Sequence, residues 1–278
     1  MRPIADRRSL LACLLLGVLW LAGCATTPYE GEGKDRSDAL LRAQLLEAER
    51  AAPEPAGRVI FAGFAMHSQS KAFRGDVLTA EAWVRKIDPA AVVFRLDNPV
   101  LGQSADWPYA TAENAAVVLN KVAELARPQD KVVLLFSTHG NRDVLSINFA
   151  NQYYPALNGA WLVRQLAALG RTPTVLLLSA CHSGSFIPTL RAPSRVILAA
   201  AAADRSSFGC NFGSRNTFFI DALLNQERSD EKTLVELMDA AKADIDGRER
   251  AMGLAPPAQP QGFYGPMAQS WARQPVRA

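Results

Sequence analysis

Histidine and cysteine are scarce in this chain, at three and four of 278 residues. The cysteines are scattered, and with so few histidines no metal-ligand spacing emerges, so no metal site is expected. Neither a phosphate-cradling glycine loop nor a dinucleotide fingerprint occurs, and no cofactor is expected. The Gly-x-Ser-x-Gly elbow of serine hydrolases is absent around Cys181. Charge of one sign is lacking too: 30 Lys and Arg face 27 Asp and Glu. That balance excludes the basic footprint of a nucleic-acid binder. No apolar run is long enough to cross a bilayer comfortably, the longest being Leu10 to Leu21. No internal repeat is visible.

That short run sits in a targeting segment. Arg2, Arg7 and Arg8 form a basic start, and Leu21-Ala22-Gly23-Cys24 ends it in small residues and a cysteine. The arrangement resembles a bacterial lipobox. Residues 1–23 would then be a removed signal, and Cys24 a lipidated N-terminus holding the protein to the cell envelope. The anchoring membrane would be the outer one (or the inner one), with the protein facing the periplasm or the exterior; Ala25 is compatible with outer-membrane sorting. An ordinary signal peptide with an unmodified Cys24 is the alternative. Residues 24–57 are expected to be a tether and a helix, with leucines at helical spacing from Leu40 to Leu46. Pro53, Pro55 and Gly57 break the chain, and 58–278 reads as one domain.

Within the domain, apolar runs at 58–65, 91–96, 131–137, 174–179 and 195–202 read as strands. Segments 79–87, 111–126, 158–169, 214–226 and 232–246 read as helices. Residues 144–149 suit a small hairpin edge, and 256–265 a loop with one short edge strand. Strands alternating with helices predict a three-layer α/β domain with a mostly parallel central sheet flanked by helices.

Two of these strands stop at chemistry. Lys131–Ser137 runs into Thr138-His139-Gly140, and Thr174–Ser179 runs into Ala180-Cys181-His182-Ser183-Gly184-Ser185. Ligands of open α/β sheets bind at the carboxyl ends of strands. An imidazole and a thiol delivered to one such cleft suit nucleophilic catalysis. Alone, a buried Cys is a small hydrophobe and a His before Gly a turn residue. Cys181 and Cys210 are otherwise a pair that an oxidising compartment could join as a disulfide.

These motifs, with Ala201-Ala202-Ala203-Asp204-Arg205-Ser206-Ser207-Phe208-Gly209-Cys210, resemble the legumain-type cysteine peptidases over roughly residues 58–226. That family shares its fold and a His-Gly/Cys dyad with caspases and the catalytic subunit of the GPI-anchor transamidase. The resemblance implies a caspase/legumain-like fold and an endopeptidase, or less readily a transpeptidase, acting on peptide or protein substrates. It makes Cys181 the nucleophile, His139 the acid/base, and the backbone N–H groups of Gly140 and Cys181 the oxyanion donors. It places Ser206, Ser207 and Asp221 at the substrate pocket. Arg74 matches a pocket arginine or is a solvated loop charge, and Asp221 could equally be a helix-face charge.

Two positions depart from the pattern. Legumain has an acid after its nucleophile, where this chain has His182; the imidazole replaces that substrate contact, activates the thiol, or is merely exposed. Asparagine specificity therefore does not carry over. Legumain also orients its histidine with an asparagine after the first strand, and Ala62-Gly63-Phe64-Ala65 offers no amide. Water, a backbone carbonyl, or His67 with Ser68 are the available substitutes. A catalytically inactive envelope protein that binds peptides in the same cleft is the main rival, and a Cys181–Cys210 redox pair a lesser one.

Overall fold

A computed structural model describes residues 32–277, save 52, 53, 101, 102, 104 and 212. The signal, Cys24 and the start of the expected tether lie outside the described residues.

The chain first forms helix α1 (Glu32–Arg50), then β1 (Val59–Ala65), α2 (Lys71–Ile87) and β2 (Val92–Asp97). Next come α3 (Ala112–Leu125), β3 (Lys131–Ser137), and three strands β4 (Gly140–Asn141), β5 (Val144–Phe149) and β6 (Gln152–Leu157). Helix α4 (Gly159–Leu166) leads to β7 (Thr174–Ser179), the single turn α5 (Ile187–Leu190) and β8 (Arg195–Ala199). The chain closes with α6 (Phe218–Leu224), α7 (Leu234–Met252), β9 (Gln261–Tyr264) and α8 (Gln269–Ala272).

Six strands form one sheet in the order β2-β1-β3-β7-β8-β9. All its pairings are parallel except β8 with β9. The central strands are buried on both faces, which explains their unbroken apolar runs. Alternate residues serve opposite layers. Ile60, Phe64, Leu134, Phe136 and Leu176 pack toward α1, α3 and α4. Phe61, Val133, Leu135, Val175 and Leu177 pack toward α2, α6 and α7. Each such side chain, fully buried, contributes about 1.5–3 kcal/mol. Phe64 and Phe136 also stack at 4.7 Å across neighbouring strands. The expected three-layer α/β architecture is what the chain adopts.

Boundaries differ in instructive places. Helix α2 begins at Lys71, two turns before Thr79, because the Ser70 hydroxyl accepts from the Ala72 N–H and caps it. Gly75 within it is required by contact: a Cβ there would lie 1.7 Å from the Arg215 carbonyl oxygen. Arg74, for which a solvated loop charge is one of the two readings above, is therefore helical. Residues 152–157, not anticipated as a strand, pair antiparallel with β5 beside β4 in a separate three-stranded sheet. The 195–202 run stops at Ala199 as a strand, and α7 continues six residues past Asp246 to Met252. Helix α1 is an integral layer: Leu41 and Ala48 enter the core, and Gln44 bonds to the Arg95 backbone in both directions.

Candidate active site

The order in which the chain adds parallel strands switches at β1. The chain builds outward from β1 to β2, then returns to the other side of β1, so clefts open at the carboxyl ends there. β3 and β7 are parallel neighbours in a register that pairs Ser137 with Ser179. His139 and Cys181 each stand two residues beyond that pair. The Thr138 N–H donates to the Ser179 oxygen at 3.1 Å, keeping the strand ends together. Gly140 lies so close to the other end that a Cβ would sit 2.6 Å from the Cys181 carbonyl oxygen. Only glycine permits that approach.

The Cys181 sulfur is held by Ser207. Its backbone N–H donates to the sulfur at 3.3 Å and its hydroxyl lies at 3.7 Å. The adjoining His182 takes a left-handed φ of 56°. Its N–H donates to the Arg205 oxygen at 2.8 Å, and its ring Nδ1 lies 3.2 Å from the Ala203 oxygen. His182 thus docks onto the 203–205 segment, and it is the Ser206–Ser207 loop that reaches the thiol. Ser206 itself is exposed beside it. Among the described residues the Cys181 N–H has no acceptor, whereas its neighbour's N–H is committed. A free donor at that position is what an oxyanion needs.

His139 is lodged edge-on between rings, with His67 at 4.5 Å and Phe73 at 5.1 Å between centroids. Burial lowers its pKa. His67 is 1% exposed and its Nε2 has no partner. Burial, and then the neighbouring His139, push its pKa down to about 4, so it stays neutral beside the His139 ring. Of the substitutes for the missing amide, His67 packs against His139 rather than bonding to it. Ser68 is turned away, donating to Asn148 Oδ1 at 2.7 Å.

Cys210 belongs to this cluster as well. Its sulfur lies 4.0 Å from His139 Nδ1. Both Cys181 and Cys210 are free thiols. Burial first, and then Cys181, push the Cys210 thiol up, which keeps it protonated and a poor nucleophile.

Beneath both strand ends lies a carboxylate that sequence reasoning missed. Asp76 of α2 is fully buried and accepts from Ser137 at 2.6 Å, Ser179 at 3.1 Å, Thr217 N–H and hydroxyl at 2.9 Å each, and Asn216 at 3.3 Å. One side chain thereby ties β3, β7 and the entry to α6 together. Burial pushes it up to about 6 against the pull of those donors. No sequence signal announces such a residue, because its burial depends on α2 starting early.

The structure brings together His139, Gly140, Cys181, Ser207 and Cys210, with His182 and Ser206 alongside. It does not bring Arg74 or Asp221 into contact with them. Arg74 is ion-paired to Asp97 at 2.7 Å and Asp106 at 2.8 Å, and lies over the Trp107 ring. Asp221 is ion-paired to Arg248 at 2.6 Å. Both line a separate groove of about 1280 Å³ between α2 and α6. Among the described residues, no three His, Cys, Asp or Glu side chains converge to hold a metal ion.

The peptidase C13 family model matches residues 111–259, a span holding both strand ends and the Ser206–Cys210 loop. The chain belongs to the peptidase C13 family. It is accordingly a cysteine endopeptidase with protein substrates. No curated protein matches the chain. Among solved structures, the C13 peptidase is similar to one titled "Crystal Structure of Caspase-1 from Spodoptera frugiperda". The identity is 15% and the TM-score 0.48, over 77% of this chain and 88% of that one.

Proposed function

We propose that Cys181 is the nucleophile of this C13 peptidase and His139 its acid/base. The observation that carries the proposal is the matched register of β3 and β7, which sends both residues to one edge with the Ser207 N–H on the sulfur. His139 takes the thiol proton as the Cys181 sulfur adds to the peptide carbonyl. The Cys181 N–H, and by resemblance that of Gly140, hold the oxyanion. Collapse of this intermediate breaks the C–N bond, and His139 gives its proton to the leaving amine. Water, losing a proton to His139, then cleaves the thioester, releasing the acid and restoring the thiol. Ser206, Ser207 and His182 flank the side chain before the cleaved bond. Arg74 and Asp221, committed to ion pairs, take no part there.

A Cys181→Ala variant and a His139→Ala variant, profiled on a peptide library, test this assignment. Both should lose turnover while melting like the parent. Normal turnover in the Cys181 variant rejects it.

We further propose export as a lipoprotein acylated at Cys24, on the basic start, short apolar run and terminal cysteine of residues 1–24. Metabolic labelling with a fatty acid should tag the parent but not Cys24→Ser, and the variant should leave the membrane fraction. Equal labelling of both contradicts it.

A further inference from the structure

The groove between α2 and α6 stands apart from the catalytic cluster, and its charge is one-sided. Five cationic residues line it, against the single acid Asp221. Arg74 and Arg248 are neutralised by their carboxylate partners. Lys71, Lys86 and Arg215 are exposed and have no ion-pair partner among the described residues. Between them the wall is mixed, with a half-exposed Leu78 and a part-buried Phe218 beside Thr79, Ser214 and Asn225. A groove of about 1280 Å³ with a mixed wall and three unpaired cations offers an acidic polypeptide both side-chain contacts and charge complementarity.

The groove also leads to the chemistry. Lys71 follows the helix cap Ser70, whose hydroxyl donates to the Asn211 oxygen at 3.2 Å. Asn211 adjoins Cys210, whose sulfur is 4.0 Å from His139. From Lys71 to Lys86 the helix extends about 22 Å. An extended peptide covers that distance in roughly seven residues.

We infer that this groove is an exosite for an acidic stretch of the protein substrate, outside the residues that flank the cleaved bond. The inference rests on the peptidase reading above for its purpose, but the binding it describes does not need catalysis. Three exposed cations meeting carboxylates together supply roughly tenfold in affinity, and that gain weakens as salt screens it.

The test uses two fluorescent ten-residue peptides, one rich in Asp and Glu, the other with Asn and Gln in their place. Each is titrated by anisotropy into the Cys181→Ala protein, with and without Lys86→Glu and Arg215→Glu together. The acidic peptide should bind about tenfold more tightly than its amide counterpart, and the double charge reversal should abolish the difference. In the active enzyme, appending the acidic stretch to a cleaved peptide should lower KM with kcat unchanged, and the charge reversal should leave the short peptide's turnover intact. Equal binding of the two peptides overturns the exosite, as does acidic binding indifferent to the charge reversal. Binding of anionic phosphatidylglycerol vesicles in preference to the acidic peptide also overturns it. Acidic binding by a protein that cleaves nothing upholds the groove and rejects the nucleophile instead.

Discussion

Replacing Asp76 by asparagine isolates the carboxylate that ties β3, β7 and the entry to α6 together. The folded carboxyl titrates near 6, above its ordinary 3.8, because burial outweighs the five donated bonds. A group that holds its proton more tightly when folded stabilises the native state at low pH. That contribution fades as pH rises from about 4 to about 6. The rise corresponds to roughly 3 kcal/mol, a sizeable share of the 5–15 kcal/mol margin typical of a domain. Asparagine does not titrate. Its NH2, however, meets the three hydroxyls of Ser137, Ser179 and Thr217 that converge on Oδ2. Turning them away costs about 1–3 kcal/mol. Asp76→Asn should therefore be less stable than the parent near pH 4, and the gap should close by roughly 3 kcal/mol by pH 7. Urea unfolding followed by tryptophan fluorescence, at half-unit steps from pH 3.5 to 8, measures both curves. Asp97, also pushed up to about 6 by burial, and His67 slope within this window too, but they are common to both proteins and cancel. A gap that stays constant, or widens as pH rises, would refute the reasoning, since it would mean a carboxyl that titrates at or below its ordinary value.

Gly140→Ala should lower kcat/KM about 10²-fold, since its Cβ would meet the Cys181 and Val144 carbonyl oxygens at 2.6 and 3.0 Å and neither backbone can yield cheaply; steady-state kinetics at parental rates would contradict this. The acid limb of kcat/KM should fall below pH 6.5, because burial lowers the His139 pKa, and a limb at or above 6.5 would exclude His139 as the titrating group. His67→Phe should resist acid better than the parent. The parent imidazole titrates at about 4 when folded against 6.5 unfolded, so stability drains by up to roughly 3 kcal/mol as pH falls across that window. Parallel pH–stability curves for the two proteins would count against a neutral buried His67.

The sheet was legible because its central strands are buried on both faces, so the runs at 131–137 and 174–179 carry no competing helical period. The helices expected from residues 111 and 158 start where Thr111 and Asn158 cap them, their side chains accepting from Asn114 and Trp161 N–H. Hidden features depended on tertiary contact. The first two turns of α2 look like a loop because Arg74-Gly75-Asp76 reads as turn chemistry. The glycine is there for the Arg215 carbonyl and the aspartate for a buried hub, and neither partner is near in sequence. Strand β6 escaped notice because Tyr153, Pro155 and their neighbours are largely exposed and lack an apolar face. At the site, the strand-end His and Cys could be read from the chain. Cys210 was visible only as a disulfide partner, because its approach to His139 is set by how the 203–211 loop folds back. Arg74 and Asp221 matched pocket positions by motif, yet each is held by an ion pair in a different groove.

The central claim is that Cys181, not the nearby Cys210, attacks the substrate with His139 as its proton partner. Mass spectrometry of the protein lacking residues 1–24, after reaction with a peptidyl thiol-reactive inhibitor, tests it directly. One adduct on Cys181, unchanged in Cys210→Ser and slowed in His139→Ala, is the predicted result; an adduct on Cys210, or equal modification of both thiols, would contradict it.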